Sequence, residues 1–336
     1  MGLKSTIKAG ISIFKRYGIM PFFRQMILKF SSHSFEEVDT FLNCDSTVVF
    51  EKFLPKNEQI DGLVSVVIPC YNHEAFVADA LYSIYNQSYK MIEMIVIDDC
   101  SADGCVKIIE KLFDRWKVED RFYKLTFIKN GVNKGAHDSI NAGINLCAGS
   151  YITVLNSDDL YDSSRFETLI GVMEEKDAGL AFSKVMEIDD NGMVKKKTQF
   201  SSLQNNIAKE HMFLGLCGDN LAISSGNLFF KREVLENIGL FRDFKYVHDW
   251  DFLLRSALIT HTVFCGSTCY YYRMHSTNSY LELNSMTQLC DEEMLEVRSN
   301  IFKKIYNKKE SMVYSVQDYE KIIDLLYRRM VNNLRR

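Results

Sequence analysis

The sequence predicts an α/β fold in which a mostly parallel central sheet carries helices on both faces. Two observations lead there. From residue 63 onward, short runs of β-branched and aliphatic residues alternate with stretches at helical spacing, the signature of parallel strands joined by helical crossovers. Several of those strand runs also stop abruptly in polar or acidic residues, and open parallel sheets bind ligands at the carboxyl ends of their strands.

The elements follow in order. Residues 1–30 carry Lys4, Lys8, Lys15, Arg16, Arg24 and Lys29, with no acid before Glu36. Pro21 is expected to open a helix with Phe22, Met26 and Phe30 on one face. Such a basic amphipathic helix lies on an anionic membrane or packs on the protein body or a second subunit, and the sequence leaves both open. Residues 31–62 read as an acidic connector. Leu63–Ile68, ended by Pro69, is a buried strand. Glu74–Gln87 is helical, Met94–Ile97 a strand, Val106–Trp116 helical, Leu125–Ile128 a strand, His137–Ala148 helical and Tyr151–Leu155 a strand. The stretch from Leu180 to Asn227 is less regular, with a turn at Asp190-Asn191-Gly192. Asp251–Ile259 is helical, and residues 285–336 are mostly helical in pattern.

Composition narrows the function classes. The chain has 336 residues, a formal net charge of -4, and 47% hydrophobic and 25% charged residues, all ordinary for a globular protein. That charge gives no reason to expect nucleic acid as a partner. The nine cysteines show no CxxC pair and read as buried reduced thiols. No stretch reaches the length of a membrane-spanning helix, and the start is no convincing signal peptide, so the protein is expected in the cytoplasm.

The first strand ends in Pro69-Cys70-Tyr71-Asn72, the second in Asp98-Asp99-Cys100-Ser101 and the fourth in Asn156-Ser157-Asp158-Asp159. Adjacent carboxylates repel one another and cost desolvation energy. One pair is explained by helix capping; two pairs on one rim call for a hard cation such as magnesium or manganese, with room left for phosphate oxygens.

These motifs resemble the family 2 glycosyltransferases of the GT-A fold. The resemblance runs from Val64–Asn72 through Val96–Gly104, Asn133-Lys134-Gly135, Gly149–Ile152 and Leu155–Asp159 to His248-Asp249-Trp250-Asp251-Phe252, over about residues 63–280. It implies an inverting, hexosyltransferase-type enzyme that takes a UDP- or dTDP-sugar as donor and is assisted by Mn2+ or Mg2+. Pro69 and Tyr71 would line the nucleobase pocket, and Asp99 would accept the N3–H of uracil or thymine, a donor cytosine lacks. Asp98 would support the ribose or the loop, Asn133 would fit the donor loop, and Asp158 would stand near the ribose or sugar. Asp159 would be the direct metal ligand, with His275 as a second ligand or a contact to the diphosphate. Two departures from the family are Asn156 in place of an aspartate and Ile140 in place of an arginine.

Inverting transfer needs a base within hydrogen-bond reach of the acceptor hydroxyl. Asp249 matches the family's base, with Asp251 the runner-up and helix capping the alternative role. Trp250 would stack on a sugar or fill the core, Arg273 would offset phosphate charge, and Asn227 would border the acceptor. His73 and His137 lie near the site loops and receive no role.

The expected division is a basic helical extension and connector over 1–62, the glycosyltransferase domain over 63–280 and a helical extension over 281–336. The acid-free start fits peripheral contact with the inner face of the cell membrane and a saccharide or lipid-linked acceptor, as in assembly of O-antigen, capsule or another surface polysaccharide. A sugar nucleotidyltransferase is the rival enzyme, but the loop after the first strand lacks the glycines and cation a triphosphate needs. A degenerate, membrane-docking binding subunit is the non-enzyme rival.

Overall fold

The β-branched runs become the inner strands of one eight-stranded sheet. The computed structural model describes residues 58–196, 199–204, 212–276 and 278, with parts of 289–301. The strands are β1 Ile60–Cys70, β2 Ile92–Asp98, β3 Lys124–Lys129, β4 Gly149–Val154, β5 Leu160–Tyr161, β6 Ala178–Ile188, β7 Phe229–Lys231 and β8 His261–Arg273. They lie in the order β3-β2-β1-β4-β7-β6-β8-β5. The first four are parallel, as are β6 and β8, whereas β7 runs antiparallel between β4 and β6.

Burial explains this order. Leu63, Val64, Val66, Val67 and Ile68 in β1, and Met94 and Val96 in β2, have no exposed surface, so both faces of these strands must be covered. The covering helices are α1 Val77–Tyr85, α2 Cys105–Glu119, α3 Ala136–Ile144 and α4 Arg165–Glu175. Helix α1 buries Val77, Ala80, Leu81 and Ile84, and α2 buries Ile109, Leu112, Phe113 and Trp116, each at helical spacing. Further on come α5 Gln199–Gln204, α6 Met212–Gly218, α7 Arg232–Ile238 and α8 His248–Ala257.

The α/β expectation holds, with two additions. Strand β1 begins at Ile60, three residues before the expected 63. The stretch that read as irregular opens within the 11-residue β6, which pairs along its length with β8. The expected turn is present: Gly192, at φ 78, donates its N–H to Asp189 O. The basic helix expected within 1–30 lies outside the described residues, as does most of the 281–336 extension. No helix among the described residues is long and apolar enough to cross a membrane.

Gly149 shows how tightly β1 and β4 are joined. A Cβ there would stand inside contact distance of Leu63 O and Ser65 N, both backbone atoms of β1. Gly149→Ala is therefore expected to destabilise the protein by about 1–3 kcal/mol, read as a lower midpoint in a urea titration.

Candidate active site

In the parallel register Cys70 sits opposite Asp98, and Leu155 donates its N–H to Val67 O. The ends of β1, β2 and β4 therefore share one rim, and the loop after β1 ties the two acid-bearing loops together. Asn72 takes a left-handed conformation at φ 53, which asparagine tolerates better than most residues. Its N–H donates to Ser101 Oγ at 3.0 Å and its Oδ1 accepts from Ala102 N–H at 2.8 Å. The next residue, His73, places Nδ1 2.8 Å from Ser157 Oγ.

On the β2 side, Asp99 is buried. Its carboxylate accepts from Asn130 Nδ2 at 2.8 Å, Lys134 N–H at 2.9 Å and Gly135 N–H at 2.8 Å. Gly135, at φ 93, precedes α3 and lets the backbone fold onto that carboxylate. Asn133 Oδ1 also accepts from Gly135 N–H. Asp98 accepts from Ser101 N–H through Oδ2, while its buried Oδ1 has no protein partner among the described residues. Pro69 is half-buried on β1, and the ring of Tyr71 stands 46% exposed at the rim.

The second acid pair divides its work. Asp159 is buried with both oxygens occupied. Oδ1 accepts from Arg273 N–H at 2.8 Å, and Oδ2 accepts from the Tyr270 hydroxyl and from Asn156 Nδ2. Burial and the neighbouring Asp158 hold its carboxyl well above the ordinary range. Asp158 instead turns its Oδ2 toward two histidines, 3.0 Å from His275 Nε2 and 3.9 Å from His73 Nε2. These three ligand atoms all lie within 4.8 Å of one another. The carboxylate facing the histidines is thus Asp158, whereas the sequence reading placed the direct ligand at Asp159.

Arg273 has no exposed surface. Its guanidinium donates to Asp158 O at 2.8 Å, Asp190 O at 2.7 Å and Asp79 Oδ2 at 3.1 Å. Those commitments brace the acid loop, where the sequence reading gave Arg273 to phosphate. Asn227 is likewise enclosed: its Oδ1 accepts from Arg165 and Ser183 N–H, and nothing of it remains exposed toward an acceptor.

Asp249 lies in the first turn of α8, where the helix dipole favours a carboxylate. Its Oδ1 accepts from Trp250 N–H at 2.7 Å and its Oδ2 from Asn220 Nδ2 at 3.0 Å. Burial raises its carboxyl pKa against the pull of His248 and of those hydrogen bonds. The helix is fixed from below by Glu293, whose carboxylate accepts from the N–H groups of Lys245, Tyr246 and Val247. Asp251 is different: it has no exposed surface and is held by Arg255 at 2.7 Å and Arg242 at 3.2 Å. Trp250 donates Nε1–H to Leu216 O and lies under the Arg298 guanidinium.

Sequence reasoning left out His73, Tyr270, Asn130 and Asn220. His73 carried a visible signal, a histidine in a strand-end loop already read as part of the site. The other three are reached only through the tertiary fold.

The sequence profile of glycosyl transferase family 2 matches residues 65–239, just over half of the chain. A UDP-Glc:alpha-D-GlcNAc-diphosphoundecaprenol beta-1,3-glucosyltransferase of Escherichia coli, WfgD, is 26% identical over 232 residues, 66% of this chain and 83% of WfgD. Over the first curated relatives, the match covers between 41% and 58% of their own length. Among solved structures, residues 1–349 of S. aureus TarS with UDP-GlcNAc superpose at a TM-score of 0.58 and 18% identity, over 81% of this chain and 72% of that one. The mannosyltransferase PcManGT from Pyrobaculum calidifontis, with GDP-Man and Mn2+, gives 0.55 and 14%, over 98% and 84%. Both likenesses concern the fold.

Proposed function

The chain belongs to glycosyl transferase family 2, and we propose that it transfers a sugar, with inversion, from a UDP- or dTDP-sugar to a saccharide or lipid-linked saccharide. The observation that carries this reading is one rim holding both an aspartate fixed by backbone N–H groups, Asp99, and a carboxylate facing two imidazoles, Asp158. WfgD, whose name specifies a UDP-sugar donor and a diphosphoundecaprenol acceptor, supports the donor and acceptor classes.

Asp99 uses three N–H donors to shape the loop over residues 133–135. Lys134 N–H bridges both oxygens, at 2.9 and 3.1 Å, so these donors hold the carboxylate in place, and its acceptor-only character suits the N3–H of a uracil or thymine ring. Pro69 and Tyr71 flank that ring, while Asp98 and Asn133 hold the loops on either side. Asp158 and His275 would hold the divalent ion, with one carboxylate oxygen and one imidazole nitrogen as donors. When bound, the ion supplies positive charge against the departing diphosphate. Asp159, with Tyr270 and Arg273, fixes the loop that presents Asp158. Asp249 takes the proton of the acceptor hydroxyl, and its raised pKa makes it a stronger base than an exposed aspartate. Trp250 stacks its outer face beside the acceptor, and Asp251 anchors α8.

Binding of a panel of nucleotide sugars to the full chain tests this reading. UDP- or dTDP-sugars are expected to bind at least about tenfold more tightly than CDP-sugars, because cytosine lacks the N3–H that Asp99 accepts. Equal binding of CDP-sugars would remove Asp99 from base recognition.

A further inference from the structure

We propose that His73 is a third protein ligand of the divalent ion, and that with it the site selects a first-row transition ion over magnesium. The inference rests on the metal site of the proposed function but not on the identity of donor or acceptor.

The geometry of His73 is that of a ligand with its supporting contact in place. Metal-bound histidines commit one ring nitrogen to the ion and the other to a hydrogen bond that fixes the ring. His73 Nδ1 is committed to Ser157 Oγ at 2.8 Å, which leaves Nε2 toward Asp158 Oδ2, 3.9 Å away. Two ligands about 2.1 Å from an ion at right angles stand about 3 Å apart, and opposite one another about 4.2 Å. The 3.0 Å between His275 Nε2 and Asp158 Oδ2, and the 3.9 Å to His73 Nε2, both fall in that interval. All three atoms lie within 4.8 Å of one another, and three protein ligands leave further coordination positions for water or phosphate oxygens.

The residue is also held rigidly. The His73 carbonyl accepts from Phe76 N–H at 2.9 Å and Val77 N–H at 2.8 Å, closing the first turn of α1. Its own N–H points to Cys105 Sγ at 3.1 Å. Phe76 packs against His275 with ring centroids 4.8 Å apart, and the His73 and His275 rings meet edge-on at 5.7 Å. Ligands pre-positioned by their own backbone and by a second layer of contacts lose little freedom on binding an ion.

Donor chemistry then sets selectivity. Magnesium prefers oxygen ligands and gives up water reluctantly. Imidazole is a softer donor than carboxylate or water and favours first-row transition ions over magnesium, and two imidazoles with one carboxylate are a donor set that holds such ions with open positions. Each imidazole therefore widens the gap between Mn2+ and Mg2+.

The test uses the full chain with the metal alone and no nucleotide. Mn2+ affinity is measured by electron paramagnetic resonance, with Mg2+ as competitor, and coordinated imidazole nitrogens are counted by spin-echo modulation. The wild type is expected to show two nitrogens and to bind Mn2+ at least about a hundredfold more tightly than Mg2+. His73→Asn keeps a group near Nδ1 for Ser157 and removes Nε2. It should show one nitrogen and bind Mn2+ about 10–100-fold more weakly, with Mg2+ affinity little changed. His73→Gln, which returns an oxygen near the Nε2 position, should recover part of the Mn2+ affinity with one nitrogen still counted. One nitrogen in the wild type, or unchanged Mn2+ affinity in a folded His73→Asn protein, overturns the proposal while leaving the donor reading intact. Two nitrogens in a protein that transfers no sugar supports this inference and overturns the function proposed above.

Discussion

Asp158→Asn is expected to lower sugar transfer by roughly 10²–10³-fold, the effect of removing a few kcal/mol of charge stabilisation at the diphosphate, and to weaken Mn2+ binding in parallel. The carboxylate it removes is the only anionic member of the cluster formed with His73 and His275. The neighbouring substitution separates two roles that the sequence cannot. Asp159 accepts from Tyr270, Asn156 and the Arg273 backbone, so Asp159→Asn turns an amide donor toward groups that are themselves donors. That mismatch in a buried position costs about 1–3 kcal/mol of stability, seen as a lower unfolding midpoint, and its effect on metal affinity follows from the displaced loop alone. A well-folded Asp159→Asn protein that loses Mn2+, beside an Asp158→Asn protein that keeps it, would exchange the two assignments.

Asp249→Asn is expected to reduce kcat by about 10²–10⁴-fold while leaving donor affinity near the wild-type value, the outcome of the proposed role on the acceptor side, where the group acts only as the hydroxyl is deprotonated. The pH profile gives a second reading. Burial raises the Asp249 pKa, so the acid limb of kcat/KM should fall at a higher pH than an exposed aspartate would give and vanish in the variant. The linkage to stability has the matching sign. Because the folded pKa lies above the unfolded one, the group's contribution is fully present below the unfolded pKa and is lost as the pH rises through the folded value. Asp251→Asn behaves differently on both counts. It removes the buried carboxylate that both Arg242 and Arg255 engage, and breaking such a buried ion pair costs about 3–5 kcal/mol; the acid limb of whatever folded protein remains should stay where it is. A profile whose acid limb survives in Asp249→Asn and disappears in Asp251→Asn would transfer the base to the runner-up.

Why Asp249 and Asp251 separate so cleanly in three dimensions, yet not in the sequence, comes down to Arg242. Arg255, four residues after Asp251, is visible as a helical ion pair; Arg242, on the preceding loop, closes the cage only once the chain folds. The same holds for Asp158 and Asp159. Both stand in one strand-end loop, and which faces the ligand side is decided by Tyr270 and Arg273, more than a hundred residues away. Local patterning was sufficient for β1, β2 and β4 because these strands are largely buried on both faces and read as mostly apolar runs, and the shorter edge strand β3, only partly buried, still shows as Leu125–Ile128. It failed for β8, where Cys265-Gly266-Ser267-Thr268 interrupts the apolar pattern just as the pairing with β6 shifts register. It failed for the three-residue β7 as well, which owes its place to partners on both sides. Position in a strand-end loop was enough to mark the rim as a site, and His73 shows the limit of that reading. A histidine's role depends on what its second ring nitrogen meets, and Ser157 lies 84 residues further along the chain.

The central claim is that an ion held by Asp158 joins the protein to the diphosphate of the donor. Calorimetric titration of UDP and of uridine into the full chain, each with Mn2+ and with chelator, addresses it directly. UDP should bind at least about tenfold more tightly with Mn2+ than with chelator, while uridine, which reaches only Asp99 and its loop, should bind equally in both. UDP affinity that is indifferent to the chelator would contradict the account.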